Sequence, residues 1–64
     1  MYVVQRRDSE NSQWKTCSLN GKKCRFEYLN EANIAFRKIK NSDFFQKIPT
    51  RQLRILDTET DKEV

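Results

Sequence analysis

The chain has 64 residues, of which 36% are hydrophobic and 34% charged, and its net charge is +4. This length allows a single domain over residues 1–64, and the seven aromatic side chains are not typical of a disordered chain. No apolar run approaches the ~20 residues that cross a bilayer, and the N-terminus lacks a signal-peptide core, so we expect a cytoplasmic protein with reduced cysteines and no membrane partner.

Three strands are predicted in the first half of the chain. Residues 2–7 (YVVQRR) are rich in β-formers and give the first strand. Residues 14–19 and 22–26 give the next two, because they flank Asn20-Gly21, the dipeptide most typical of a type I′ hairpin turn.

The turn fixes which residues of the predicted hairpin face each other. With Asn20-Gly21 as the loop, Cys17 lies opposite Cys24, and Thr16 lies opposite Arg25. One hairpin face then carries the apolar side chains of Cys17, Leu19, Cys24 and Phe26. The other face carries Trp14, Thr16, Ser18, Lys23 and Arg25. We expect the apolar face to contact the helix.

The helix that organises the chain is predicted over residues 28–40, with a start between 28 and 30. Its start is compatible with Asn30 as N-cap or with a beginning nearer Tyr28. A buried stripe follows the helical spacing and consists of Leu29, Ala32, Phe36 and Ile39, widened by Ala35. A helix of this length needs a partner surface for such a stripe, and the strands must supply it.

The remaining elements complete the predicted fold. Ser42-Asp43 can cap a short helical turn over 43–47, which Pro49 ends. Residues 51–57 (RQLRILD) are a last strand with Leu53 and Ile55 on one face, and residues 58–64 are a polar turn with one further paired residue. The result is an α+β fold of order β-β-β-α-β, a small antiparallel sheet with one main helix packed on one face.

No motif of catalysis, metal binding or cofactor binding is found. Histidine is absent, and a chain with one glycine has no glycine-rich phosphate loop. Two cysteines do not complete a zinc site, and we expect them to be small buried side chains, although a disulfide between Cys17 and Cys24 is geometrically possible. We therefore expect no enzyme, no metal and no cofactor.

Basic residues are concentrated in the N-terminal part, where residues 1–26 carry six basic and two acidic side chains. The candidate residues for nucleic-acid or partner binding are Arg6, Arg7, Trp14, Lys15, Lys22, Lys23 and Arg25. Cations that contact phosphates, beside an aromatic ring that can stack, are typical of nucleic-acid binding surfaces. The alternative is that Trp14 belongs to the core, which we favour because a small protein usually needs its only tryptophan there.

Phe44 and Phe45 are the candidate apolar contacts for a protein partner. Neighbouring residues of a helical turn point in different directions, so burial of both requires a covered segment on two sides. Core packing is the favoured interpretation, and one exposed ring that anchors a partner is the alternative. Ile34 lies off the main helical stripe and raises the same question.

The segment from YVVQRR through Trp14 and Phe26 to the helix resembles the arm-type DNA-binding domains of phage and transposon integrases over residues 2–40. In that family the sheet enters the major groove, which implies binding roles for Arg6, Trp14, Thr16, Lys23 and Arg25. The strand RQLRILDTETDKEV has no counterpart at that place in those domains.

The chain as a whole resembles small accessory proteins of phages and prophages, on its size, layout and the ending RILDTET. The resemblance implies a non-catalytic module that binds a host protein. We expect it to be a monomer or weak homodimer that modulates this protein in the cytoplasm of the host cell. The alternative is DNA or RNA binding through the basic sheet face. The sequence leaves open the target and the side of the sheet on which Trp14 lies.

Overall fold

The computed structural model describes residues 1–64 and contains seven strands and two helices. The elements are β1 (Tyr2–Arg7), β2 (Lys15–Thr16), β3 (Ser18–Leu19), β4 (Lys22–Lys23), β5 (Arg25–Phe26), α1 (Leu29–Lys40), α2 (Asp43–Gln46), β6 (Gln52–Asp57) and β7 (Lys62–Glu63). All sheet pairings are antiparallel, and one main helix packs on the sheet, which confirms the predicted α+β fold class.

Strand β1 lies at the centre of the five-stranded sheet. Along one edge it pairs with β6 over all six of its residues, from Tyr2 opposite Asp57 to Arg7 opposite Gln52. Its other edge is shared by two short strands, β2 beside Gln5 and Arg6 and β5 beside Tyr2 and Val3. The first strand of the chain therefore positions both the hairpin region and the C-terminal region.

The predicted hairpin of residues 14–26 is not continuous. The structure divides it into a short hairpin, β3–β4, and two arms, β2 and β5. The arms diverge, and each pairs with β1. The predicted pair of Thr16 and Arg25 is therefore wrong, because Thr16 lies opposite Gln5 and Arg25 lies opposite Val3. The unpaired edge of β1 offers hydrogen-bonding groups to both arms, which a two-stranded hairpin would leave exposed.

Three backbone hydrogen bonds hold the point where the arms separate. The Val4 amide donates to the Cys24 carbonyl (3.0 Å), and the Cys17 amide donates to the Val4 carbonyl (2.8 Å). The Cys24 amide donates to the Cys17 carbonyl (2.9 Å), so the three residues form a closed ring of backbone contacts. Beyond this junction the β3–β4 hairpin keeps the predicted register, with Ser18 opposite Lys23 and Leu19 opposite Lys22.

The predicted turn at the tip of this hairpin agrees with the backbone conformation. Asn20 has φ 52° and Gly21 has φ 78°, and two consecutive positive φ angles are what a type I′ turn requires. Asparagine and glycine are the residues that adopt this region at least cost. The turn therefore determines the hairpin register, as predicted.

Helix α1 covers one face of the sheet and contacts β1, β5 and β6. It begins within the predicted window, but Asn30 lies inside the helix, and Tyr28 precedes it with extended backbone and no side-chain cap. The core has seven buried residues, namely Val4, Cys17, Cys24, Ala32, Ala35, Ile39 and Ile55. The predicted stripe is confirmed, although Leu29 and Phe36 at its margin are only partly buried.

The C-terminal elements follow the prediction with small shifts. The Ser42 hydroxyl accepts a hydrogen bond from the Phe45 amide (3.2 Å) and donates to the Ile39 carbonyl (2.6 Å), so it caps α2 as predicted. After β6 the chain turns through residues 58–61 and returns as β7, which pairs two residues with β6 where one was expected. No helix of the structure has the length and hydropathy of a membrane span.

Candidate functional site

The side of the sheet that faces away from α1 carries two of the predicted basic residues, Arg7 and Arg25. Because side chains alternate along a strand, Val4 and Ile55 face the helix, and their neighbours face the other way. We call this second side the open face; it comprises Val3, Gln5, Arg7, Thr16, Arg25, Gln52, Arg54 and Leu56, together with Trp14. Only Val3, at 5% exposure, is fully buried there.

Trp14 lies on the open face and not in the helix-side core, so the favoured core interpretation is wrong. Its ring centroid lies 4.5 Å from the guanidinium carbon of Arg7 and 4.2 Å from that of Arg54. The indole is half-buried because the two long side chains and the strands beneath them cover part of it. We call Arg7, Trp14 and Arg54 the arginine–tryptophan cluster.

Two glutamines hold the arginines of this cluster in place. Arg54 donates through Nε and Nη2 to Gln5 Oε1 at 2.9 and 2.7 Å, and Arg7 donates through Nε to Gln52 Oε1 at 2.6 Å. Each pair joins β1 to β6 across the sheet. A neutral amide orients a guanidinium group without cancelling its charge, so the positive charge stays on the surface.

No carboxylate forms an ion pair with the open-face arginines. The three ion pairs of the chain join Met1 to Glu59 and Asp8 to Arg6 and Arg51, and none includes Arg7, Arg25 or Arg54. Unpaired cations on a sheet face attract polyanions, and guanidinium groups bind phosphate through several donors at once. This combination is the basis for treating the open face as the candidate site.

The structure separates the other predicted site residues into two places away from the open face. Arg6 and Lys15 lie opposite each other in the register on the helix side, and Arg6 is paired with Asp8 at 3.6 Å. Lys22 and Lys23 are exposed in the β3–β4 hairpin. Of the seven predicted residues, Arg7, Trp14 and Arg25 come together on one face.

The phenylalanine pair is divided between surface and core. Phe45 packs against the core, whereas Phe44 is 55% exposed. The Phe44 ring lies 4.2 Å from the guanidinium carbon of Arg51 and 5.2 Å from that of Arg6. Arg51 also donates to the Phe44 carbonyl and to Asp8 Oδ1, so the exposed ring has a fixed support. Phe44 is the member of the pair that is free to contact a partner.

Both cysteines are buried free thiols, which confirms their expected role as small core side chains. Burial raises the pKa of Cys17 from its ordinary value of 9.0 to about 11; Cys24 adds to the rise, and Arg6 opposes it. Burial also raises the pKa of Cys24. Neutral thiols are poor nucleophiles and poor metal ligands, and no three carboxylate or thiol groups converge at a spacing that could hold a metal ion.

Arg54, Gln5 and Gln52 belong to the candidate site but were not among its predicted residues. Strand alternation did place Arg54 on the face opposite Leu53 and Ile55. The missing information was that β6 pairs with β1, which brings Arg54 within reach of Trp14. The sequence signal that could have identified the set is the same spacing of glutamine and arginine on both long strands, Gln5 and Arg7 in β1 and Gln52 and Arg54 in β6.

Comparison with known proteins adds no relative: no family model, no curated protein and no solved structure matches the chain.

Proposed function

We propose that this chain is a non-catalytic module that binds nucleic acid through its open face. The observation that carries the proposal is the arginine–tryptophan cluster, with two cations in contact with one aromatic ring and no carboxylate partner. Arg7, Arg25 and Arg54 contact phosphates in this mechanism. The exposed part of Trp14 and the guanidinium planes provide stacking surfaces for bases.

The test measures binding of labelled oligonucleotides by fluorescence anisotropy. Single-stranded DNA, single-stranded RNA and duplex DNA of about 16 nucleotides are compared between about 20 and about 200 mM salt. Binding should weaken steeply as salt rises, since released counterions accompany each phosphate contact. Absence of binding to all three probes at the lowest salt overturns the proposal.

Arg25→Glu is the informative variant, because Arg25 is exposed and its charge has no ion pair that supports the fold. It should lower affinity at least about tenfold. Arg37→Glu makes the same charge change on the exposed side of α1, and it is the matched control. Equal weakening by both variants would mean that net charge, and not the open face, determines binding.

A protein partner is a second candidate, and the exposure of Phe44 favours it. In this proposal the chain acts as an accessory protein of the phage type in the cytoplasm of a host cell, as a monomer or weak homodimer. An exposed aromatic ring on a fixed support is a typical anchor of a protein interface. The free thiols of Cys17 and Cys24 are compatible with a reducing compartment.

Affinity purification from a lysate of a plausible host tests the second candidate. The wild-type chain should retain one protein in stoichiometric amount, and Phe44→Asp should lose it. Tyr28→Asp is the matched control, because Tyr28 is also an exposed aromatic residue (61%) but lies next to the start of α1. Retrieval of no stoichiometric protein, or its retention by Phe44→Asp, contradicts the proposal.

A further inference from the structure

A cleft of about 450 Å³ lies between the β3–β4 hairpin and helix α1. We call it the hairpin–helix cleft. Its apolar lining is formed by Leu19, Cys24, Phe26, Ile34 and Ala35. Its volume lies within the ~300–1,000 Å³ that is usual for binding pockets in proteins. Beyond the Val4–Cys17–Cys24 junction the hairpin is a separate two-stranded sheet, and the cleft lies between it, β5 and α1.

Ile34 is the apolar side chain of this cleft that the fold itself does not use. It is 55% exposed, whereas Ala35 beside it is buried against the sheet. A large aliphatic side chain that is about half exposed at a cleft is stabilised when a partner covers it, because its apolar surface is then removed from water. It is therefore a suitable contact point for an apolar side chain of a partner.

The rim of the cleft is strongly basic. Lys22 and Lys23 border it on the hairpin, Arg25 on β5 and Lys38 on the helix, while Glu31 is its single acidic residue. None of these five side chains takes part in an ion pair of the chain. A basic rim repels basic segments and steers acidic ones, so charge decides which apolar segments enter.

We propose that the hairpin–helix cleft binds an acidic amphipathic segment of a protein partner, with its apolar side chains on Ile34 and its carboxylates beside the lysines of the rim. Apolar grooves with charged rims bind amphipathic segments in this way in other proteins. Nucleic acid is the less suitable occupant, because charged phosphates gain no favourable contact from the aliphatic lining of the cleft. The inference depends on neither function proposed above, because its test uses Ile34, Lys22 and Lys38, which lie outside both the open face and the Phe44 contacts. Arg25 is the one residue that borders both the cleft and the open face.

Selection from a displayed library of random peptides of about 16 residues tests the inference without a known ligand. Peptides selected on the wild-type protein should be rich in Asp and Glu interspersed with Leu, Ile or Phe. Their affinity should fall at least about tenfold with Ile34→Asp and with the double variant Lys22→Glu/Lys38→Glu. Val64→Asp, at a residue that is 58% exposed and lies outside the cleft, should leave it unchanged.

Several results overturn the inference. These are the enrichment of no peptide, the enrichment of neutral or basic peptides, and equal binding of the selected peptides to wild-type and Ile34→Asp protein. A poly-glutamate peptide should not bind, and tight binding of it would show that charge alone acts. If light scattering finds a wild-type dimer that Ile34→Asp dissociates, the occupant is a second copy of the chain. If Ile34→Asp weakens oligonucleotide binding, the cleft belongs to a nucleic-acid site.

Discussion

The guanidinium carbon of Arg54 lies 4.2 Å from the ring centroid of Trp14, although strand β1 separates the two segments that carry them. The contact is possible because the indole crosses over β1 on the open face, where Arg7 also lies against it. One aromatic ring thus joins three neighbouring segments of the sheet. It links residues that are forty positions apart in sequence.

Arg54→Ala should expose Trp14 and destabilise the protein. The variant loses a cation–π contact and two hydrogen bonds to Gln5, which together contribute about 1–3 kcal/mol to the free energy of unfolding. Acrylamide quenching of the single tryptophan should increase, and urea unfolding should begin at lower concentration. Arg37→Ala, on the exposed side of α1, is the control. Unchanged quenching in Arg54→Ala would contradict the contact.

Stability should fall as the pH rises above about 9 because of Cys17. The folded thiol keeps its proton up to a pKa of about 11, whereas the unfolded thiol ionises near 9.0, so ionisation favours the unfolded state between these values. The contribution of the protonated Cys17 thiol to the free energy of unfolding is fully present below pH 9 and is lost as the pH rises to 11. At about pH 10 the expected loss is about 1 kcal/mol relative to about pH 8.

Urea unfolding at the two pH values measures this effect, with Cys17→Ala as reference. The variant is expected to be less stable throughout, since it leaves a small cavity, but its free energy of unfolding should change less between the two conditions. An equal pH dependence in both proteins would show that groups other than Cys17 cause the change.

Gly21→Ala should destabilise the hairpin tip through the backbone alone. A Cβ atom at Gly21 would meet no atom within 4 Å, but φ of 78° lies in the left-handed region. The expected cost is about 1–2 kcal/mol, measured by urea unfolding and by faster amide exchange in β3 and β4. Asn20→Gly should be nearly neutral, because Asn20 has φ 52° and glycine adopts that region freely. A neutral Gly21→Ala would exclude the type I′ turn.

Ala32→Leu should disturb the packing of α1 on the sheet. Ala32 is completely buried, so the three additional carbons of a leucine have no space without movement of the helix. The expected loss is about 1–3 kcal/mol in the free energy of unfolding. Asn33→Leu adds a leucine at the exposed neighbouring position and should change stability by less than about 0.5 kcal/mol. A stable Ala32→Leu protein would mean that the helix can move away from the sheet at little cost.

Local patterns were sufficient to predict most elements of the fold. The spacing of Ala32, Phe36 and Ile39 identifies the helix and its buried side, because the helical repeat places them on one stripe. Asn20-Gly21 identifies the turn, because few other residue pairs adopt two positive φ angles. Such signals act within a few residues of the chain, and they do not depend on the rest of the fold.

The partners of β1 could not be predicted in the same way. Any β-rich segment can pair with another, and nothing in YVVQRR specifies that six residues pair with 52–57 while two separate segments share the other edge. The position of Trp14 followed from that pairing. Its contacts with Arg7 and Arg54 join three segments that are distant in sequence. The size and rarity of tryptophan therefore predicted a core position, whereas the strand pairing places the ring on the open face.

The junction of Val4, Cys17 and Cys24 makes the length of the β3–β4 hairpin independent of the sheet. Strands β2 and β5, on the sheet side of the junction, are already hydrogen-bonded to β1. Residues inserted in pairs between Cys17 and Cys24 therefore leave every register of the five-stranded sheet unchanged. The protein can thus present a longer or shorter projection, or a different peptide at its tip, on an unchanged base. As a scaffold, it offers residues 18–23 as the place for a grafted epitope.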